Sequence, residues 1–115
     1  MLRGDICLVD LGSGLAGEAT KRRPAVIVSN DGANTMAARL GRGALTVVPL
    51  TSNIDRLYPF QVLVTGILSG LDADSKAQAE QVRTISIARI GEKLGQVASP
   101  EMLEVDEALR LHLAL

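Results

Sequence analysis

The sequence predicts a mainly β fold in which a small, strongly curved, mostly antiparallel sheet is followed by one C-terminal α-helix. Two observations predict it. Short apolar runs rich in β-branched residues alternate with clusters of Gly, Asn, Asp and Ser, a pattern typical of strands joined by turns. A single amphipathic segment then follows near the C-terminus. The chain has 115 residues, 47% of them hydrophobic, so we expect one domain over residues 1–115 with one core.

Five strands are predicted from the short runs between turn-forming residues. They are residues 5–11, 24–29, 44–50, 60–65 and 80–87. Pro24 stands at the first position of the second strand, where its missing N–H does least harm. Three glycines at 12, 14 and 17 predict that the first connection is a flexible loop. The second connection, between residues 30 and 42, has room for one helical turn around Thr35–Leu40.

The last element is predicted to be an amphipathic helix. Ser99 is a suitable N-cap, and Pro100 suits the first helical turn. The apolar positions that recur at helical spacing are Met102, Val105, Leu109 and Leu113. The acidic residues expected to face outward are Glu101, Glu104 and Glu107. The helix therefore has one face that can cover the sheet.

The composition excludes several classes of function. One cysteine and one histidine cannot supply the three or four ligands of a zinc site, so we expect neither a metal nor an organic cofactor. Cys7 lies in an apolar run and is interpreted as a core thiol, while a lone cysteine suits a reducing compartment. No purely apolar run exceeds that of residues 25–28, whereas a membrane span needs roughly 20 residues. We therefore expect a cytoplasmic protein without membrane contact.

Charge is unevenly distributed, although the net charge is only −1. Basic residues outnumber acidic ones in the first half, and Lys21-Arg22-Arg23 before Pro24 is the densest cluster. One interpretation is a solvated run that discourages edge-to-edge strand pairing. The other is phosphate binding, because an arginine beside a rigid proline at a strand end presents its guanidinium in a defined place.

Two further segments carry candidate ligand-binding groups. Thr51-Ser52-Asn53 follows the third apolar run, where these side chains either cap a turn or hydrogen-bond a phosphate. Tyr58 and Phe60 are the only aromatic residues, and Phe60 is interpreted as core. Two rings are too few for the stacking platform of an RNA-recognition motif.

Taken in order, these segments resemble the MazF (PemK-like) toxins of bacterial toxin–antitoxin modules. The resemblance runs nearly end to end and depends on the order and spacing of several motifs. The matching pieces are Arg3-Gly4-Asp5-Ile6, Val9-Asp10-Leu11, Glu18, residues 23–30 (RPAVIVSN), Val48-Pro49-Leu50-Thr51-Ser52, Tyr58-Pro59-Phe60, Gln81-Val82-Arg83-Thr84-Ile85, and the helix from Ser99.

The resemblance implies an SH3-like barrel, a homodimer and a cognate MazE-like antitoxin. It also implies metal-independent, sequence-selective cleavage of single-stranded RNA, including mRNA, through attack of a ribose 2′-OH on its own phosphate. The products are then a 2′,3′-cyclic phosphate and a 5′-OH. The catalytic pair that it implies is Arg23 and Thr51. The RNA-binding residues that it implies are Gly17, Glu18, Lys21, Arg22, Ser52, Asn53 and Gln81. Many members have Gly-Ser-Glu where this chain has Ala16-Gly17-Glu18, so one loop hydroxyl is missing.

Two other functions remain open at this stage. A gyrase-binding toxin of the CcdB kind shares the fold in outline but does not need Arg23 together with Thr51. A catalytically silent RNA-binding barrel is the other alternative. Arginine stays protonated near neutral pH and is a poor general base, so Arg23 is assigned to charge stabilisation rather than to base catalysis.

Overall fold

A computed structural model describes residues 1–115 and shows seven strands and three helices. The strands are β1 (Asp5–Asp10), β2 (Arg22–Ile27), β3 (Ala44–Thr51), β4 (Gln61–Val64), β5 (Ser75–Gln78), β6 (Arg83–Ser86) and β7 (Ile90–Gln96). The helices are α1 (Asp31–Leu40), α2 (Gly66–Ser69) and α3 (Ser99–Leu113). This confirms the predicted mainly β class with a C-terminal helix.

The strands form one antiparallel sheet that bends around β3. The strand order is β4-β5-β3-β2-β1-β7, and β6 also pairs with β3. Different parts of β3 contact different partners, because residues 44–47 pair with β6, 47–49 with β2 and 50–51 with β5. A strand with three partners in succession curves the sheet strongly, although the sheet does not close on itself. The result is the predicted curved, partly open barrel.

The sheet buries apolar side chains on both faces. Ile6 and Val26 belong to one core cluster, which Val105 of α3 covers. Cys7 and Ala25, their immediate neighbours, belong to a second cluster on the opposite face. This alternation follows from the two-residue period of a strand. The central strands are therefore fixed by packing on each side.

Several elements differ from the sequence-based prediction. The strands β5 (SKAQ) and β7 (IGEKLGQ) were not predicted, because both contain Lys and Gln and lack an apolar run, and β7 also contains Glu and two Gly. Only Arg83–Ser86 of the predicted strand 80–87 is extended, since a 3₁₀ turn occupies Ala79–Gln81. The predicted single turn near Thr35 is the full helix α1, whose first turn is capped by the Asn30 side chain.

The prediction for the C-terminal helix needs three corrections. The N-cap residue is Ala98 rather than Ser99, and no side chain caps the helix. Glu101 does not face outward: it is buried, and its Oε2 accepts hydrogen bonds from Thr65 Oγ1 (3.0 Å) and Thr65 N (3.3 Å). Leu113 is 49% exposed, and its neighbours at the C-terminal end of the helix are exposed as well, so it is not part of the covered face. Phe60 is also not a core residue; it is half-buried and stacks on Tyr58 with 5.5 Å between ring centroids.

The structure also describes the environment of Cys7, the hydrophobicity of the helices and the grouping of potential metal ligands. Cys7 is 3% exposed, and its burial raises the pKa of the thiol, which agrees with a core role. None of the three helices has the length and hydrophobicity needed to cross a bilayer. No three His, Cys, Asp or Glu side chains gather in an arrangement that can hold a metal ion.

Candidate functional site

The candidate site forms where β2 begins and β3 ends. Ala25 lies opposite Pro49 in the antiparallel β2–β3 register. Following this register for two more residues leads to Arg23 on β2 and Thr51 on β3. The sheet therefore places these two side chains at the same edge of the barrel, although they are 28 positions apart in the sequence.

A groove of about 270 Å³ opens at this edge. Its lining contains three cations, three hydroxyl-bearing side chains and two apolar residues, but no carboxylate. These residues are Lys21, Arg22, Arg23, Pro24, Leu50, Thr51, Ser52 and Ser75. Such a lining attracts an anion and can hydrogen-bond its oxygen atoms. Ser75 is the one polar member that the sequence analysis did not predict.

Arg23 is held in place by the backbone around it. The residue is half-buried, and its Nε–H donates a hydrogen bond to the carbonyl of Thr20 at 2.9 Å. On the strand it lies opposite Val9, a residue that is 1% exposed. The hydrogen bond uses only one of the five guanidinium donors, so both terminal nitrogens remain available for a ligand. Arg23 is therefore a positioned cation with free donors.

Thr51 presents a hydroxyl whose proton is free. Its Oγ1 accepts a hydrogen bond from the backbone N–H of Asn53 at 3.4 Å, and the residue is half-buried. Asn53 Oδ1 in turn accepts from the N–H of Asp55 at 3.3 Å. Both side chains thus cap the turn after β3, which is one of the two roles left open by the sequence. Thr51 also lines the groove, whereas Asn53 does not.

The two other cations lie at the base of the first loop. Lys21 has a positive φ of 67°, and its N–H donates to Gly12 O at 2.6 Å. Leu11 N–H donates to the carbonyl of Lys21 at 2.9 Å, which closes the loop. Arg22 is exposed, opposite Asp10 of β1. Arg22 and Arg23 pair with β1, whereas the pairing of β2 with β3 covers only Ala25–Ile27. The cations therefore lie where β2 has one partner strand, and this position does not contradict the edge-protection interpretation.

Three residues of the predicted RNA-binding set lie outside the groove, in or against the first loop. Gln81 Oε1 accepts from Ala19 N–H at 3.0 Å, and Gln81 Nε2 donates to Gly17 O at 2.6 Å. Glu18 Oε1 accepts from Leu15 N–H at 2.8 Å. These bonds make the loop more ordered than its three glycines predict, since a residue 62 positions away holds it on the sheet.

No imidazole lines the groove. His112 is exposed and lies in the last turn of α3, where a cation suits the helix dipole. The groove lining therefore has the charge and the hydrogen-bond donors that suit an anionic group, but it contains no histidine or carboxylate that could act as a general base.

Comparison with known proteins adds independent information. A family model described as the PemK-like, MazF-like toxin of type II toxin–antitoxin systems matches residues 2–113. The chain is 54% identical to the endoribonuclease MazF9 of Mycobacterium tuberculosis, covering 100% of this chain and 98% of that protein. It is 34% identical to the endoribonuclease MazF of Staphylococcus epidermidis, covering 98% and 91% of the two chains.

Solved structures agree with this match. A mycobacterial endoribonuclease in complex with its cognate antitoxin is similar with a TM-score of 0.78 and 29% identity, over 100% of this chain and 96% of that one. The form-I crystal structure of MazF from Deinococcus radiodurans has a TM-score of 0.81 over 100% of this chain and 97% of that one. Its identity is 22%, so it shows the shared fold alone.

The Gln81 contacts predict that loss of this side chain frees the first loop. In Gln81→Leu, the N–H of Ala19 and the carbonyl of Gly17 lose their partners. The rate of amide exchange at Ala19 should therefore rise by about 10-fold, the factor that corresponds to the free energy of one hydrogen bond. Hydrogen exchange followed by NMR measures this. Gln96→Leu changes an exposed glutamine on β7 and serves as the control. Equal protection of Ala19 in all three proteins would show that Gln81 does not hold the loop.

Proposed function

The chain belongs to the PemK-like, MazF-like toxin family of type II toxin–antitoxin systems, and we propose that it is a metal-independent endoribonuclease whose active site is the groove between Arg23 and Thr51. We place the active site in this groove because its lining contains three cations and three hydroxyl groups but no carboxylate. A polyanion with hydrogen-bonding oxygens is the ligand that such a surface favours. We infer one endoribonuclease domain over residues 1–115, acting on single-stranded RNA in the cytoplasm.

The chemistry needs little from the protein beyond positioning and charge. The ribose 2′-OH loses its proton to solvent as its oxygen attacks the adjacent phosphorus, and the bond from phosphorus to the 5′-oxygen breaks. The leaving 5′-oxygen takes up a proton, so the products are a 2′,3′-cyclic phosphate and a 5′-OH. Negative charge builds up on the nonbridging oxygens during this step, where the terminal nitrogens of Arg23 stabilise it. The nucleophile belongs to the substrate, so no metal-bound water is required.

Thr51 orients the phosphate. Its Oγ1 already accepts a hydrogen bond from Asn53, so the hydroxyl proton is directed away from that N–H and toward a ligand. Lys21 and Arg22 are exposed and contribute attraction for the RNA backbone rather than a fixed geometry. The guanidinium stays protonated at neutral pH, so Arg23 acts as a cation and, for the departing 5′-oxygen, as a proton donor.

The alternative functions fit the groove less well. A toxin that only binds gyrase has no use for a positioned arginine facing a threonine hydroxyl. A silent RNA-binding barrel also does not need the Thr20 contact that fixes Arg23, since mobile cations suffice for phosphate attraction.

We propose a MazE-like antitoxin as the physiological partner, with an acidic tail that folds onto the basic loop.

Cleavage should persist in EDTA and should leave cyclic-phosphate and 5′-hydroxyl ends. The physical reason is that the groove offers no metal ligands while the substrate supplies the nucleophile. Incubation of the purified protein with a long single-stranded RNA, followed by end-group analysis of the fragments, measures both properties. Activity that disappears in EDTA and returns with magnesium would contradict the mechanism.

Substitutions in the groove should separate chemistry from binding. Arg23→Ala should lower the single-turnover rate at saturating protein by about 10² to 10³, the usual effect of losing one fixed donor to a developing charge. Thr51→Val keeps the side-chain shape and should lose rate to a similar order. Lys21→Ala and Arg22→Ala should mainly weaken binding and reduce its salt dependence.

The control for these variants is Arg42→Ala, which removes an exposed arginine that does not line the groove. It should leave the rate and the affinity unchanged. If Arg23→Ala cleaves at the wild-type rate once RNA is saturated, then Arg23 binds phosphate without taking part in the chemistry. A fully active Thr51→Val would remove Thr51 from the site.

The protein should be a homodimer. The family relationship supports this, and so does exposed apolar surface: Leu57, Leu103 and Leu111 are 46%, 67% and 58% exposed and line a cleft of about 730 Å³ beside α3. Burial of such surface favours association. Sedimentation velocity at micromolar concentration should give the mass of two chains. An active protein that sediments as a monomer over this range would contradict the prediction.

A further inference from the structure

Ser75 lies at the candidate site but was not predicted from the sequence. It is the first residue of β5 and pairs with Val64 of β4. The next residue, Lys76, lies opposite Thr51 of β3. The sheet therefore brings Ser75 to the end of β3 that carries Thr51, and Ser75 lines the same groove as Arg23.

The hydroxyl of Ser75 is unusual for its degree of burial. The residue is 7% exposed, yet its side chain makes no hydrogen bond to another group of the chain, nor is its oxygen sealed from solvent. Ser69 provides the contrast: it is 4% exposed, and its Oγ accepts from Leu71 N–H at 3.2 Å. Because the Ser75 oxygen has no partner within the chain and is open to the groove, its hydroxyl is available to hydrogen-bond a ligand.

The position of Ser75 indicates which part of a ligand it meets. Ser75 and Pro24 line the Arg23 groove and also an adjoining recess of about 310 Å³, which Leu71 and Leu94 help to form. The hydroxyl therefore lies at the junction of the two depressions. A ligand that fills the groove therefore has access to Ser75 as well as to Arg23.

We propose that Ser75 is a third phosphate-binding residue of the active site, and that its hydroxyl donates a hydrogen bond to a nonbridging oxygen of the phosphate held by Arg23 and Thr51. The inference rests on the proposed endoribonuclease function. A hydroxyl on a strand has a single rotatable bond to order, so it orients the phosphate at little entropic cost. Because Ser75 is uncharged, its contribution does not depend on salt, unlike that of Lys21 and Arg22.

The inference is tested with Ser75→Ala, using Ser69→Ala as the matched control. Both variants remove one buried hydroxyl, but only Ser75 lines the groove. The substrate is a single-stranded RNA oligonucleotide that spans a cleavage site mapped with the wild-type protein, in EDTA and at saturating protein. Ser75→Ala should reduce the single-turnover rate by about 10-fold, as expected for one neutral hydrogen bond, with an unchanged salt dependence of binding. Ser69→Ala should cleave at the wild-type rate as long as it is folded.

A sulfur substitution distinguishes direct contact from a structural effect. When sulfur replaces one nonbridging oxygen of the scissile phosphate, the wild-type protein should lose rate for one of the two stereoisomers, because sulfur accepts hydrogen bonds poorly. In Ser75→Ala this stereospecific loss should shrink. Ser75→Thr retains a hydroxyl and should restore both the rate and the sulfur effect.

Three results would overturn the inference. If Ser75→Ala cleaves at the wild-type rate while Arg23→Ala does not, the proposed function stands and the role of Ser75 is wrong. If Ser75→Ala and Ser69→Ala lose rate equally and show the same sulfur effect as the wild type, the hydroxyl is only structural. If the wild-type protein does not cleave RNA in EDTA, the proposed function fails first, and the inference fails with it.

Discussion

The candidate site depends on the antiparallel register between β2 and β3, in which Ala25 lies opposite Pro49. A slip of one residue would turn Arg23 to the opposite face of the sheet, since side chains alternate along a strand. Packing prevents the slip, because Ala25, Val26 and Ile27 are all 0% exposed and their neighbours on both faces are apolar. The core therefore fixes the geometry of a polar groove that contributes little to the core itself.

The electrostatics of the site are local. The net charge is only −1, so in the proposed site the attraction for RNA is assigned to the adjacent cations at residues 21–23 rather than to the chain as a whole. These cations differ in mobility: Arg23 is anchored to Thr20 O, whereas Lys21 and Arg22 are exposed. Lys21 and the start of β2 thus supply both general attraction and one fixed charge. The contact of Gln81 with Ala19 connects the order of the first loop to the 3₁₀ turn at Ala79–Gln81.

Elements could be predicted from the sequence when their signals lie within one short segment. They were missed when they depend on partners far away in the chain. Local patterns identified β1 to β4 and α3, because their apolar runs and turn residues are contiguous. The motif resemblance indicated Arg23 and Thr51, and the register explains why they meet. Ser75 was missed because Ser75–Gln78 has no apolar run and is a strand only through its pairing with β3 and β4. Glu101 was misplaced because its partner, Thr65, is 36 residues away.

The central claim is that the edge formed by β2 and β3 holds the scissile phosphate. A crystal structure of the protein with an RNA oligonucleotide that carries a 2′-deoxyribose at the cleavage position tests it most directly, because this substrate binds but lacks the nucleophile. The account predicts that the phosphate 3′ to that sugar lies within hydrogen-bond distance of the terminal nitrogens of Arg23 and of Thr51 Oγ1. A phosphate bound only by Lys21 and Arg22, with Arg23 and Thr51 free, would contradict it.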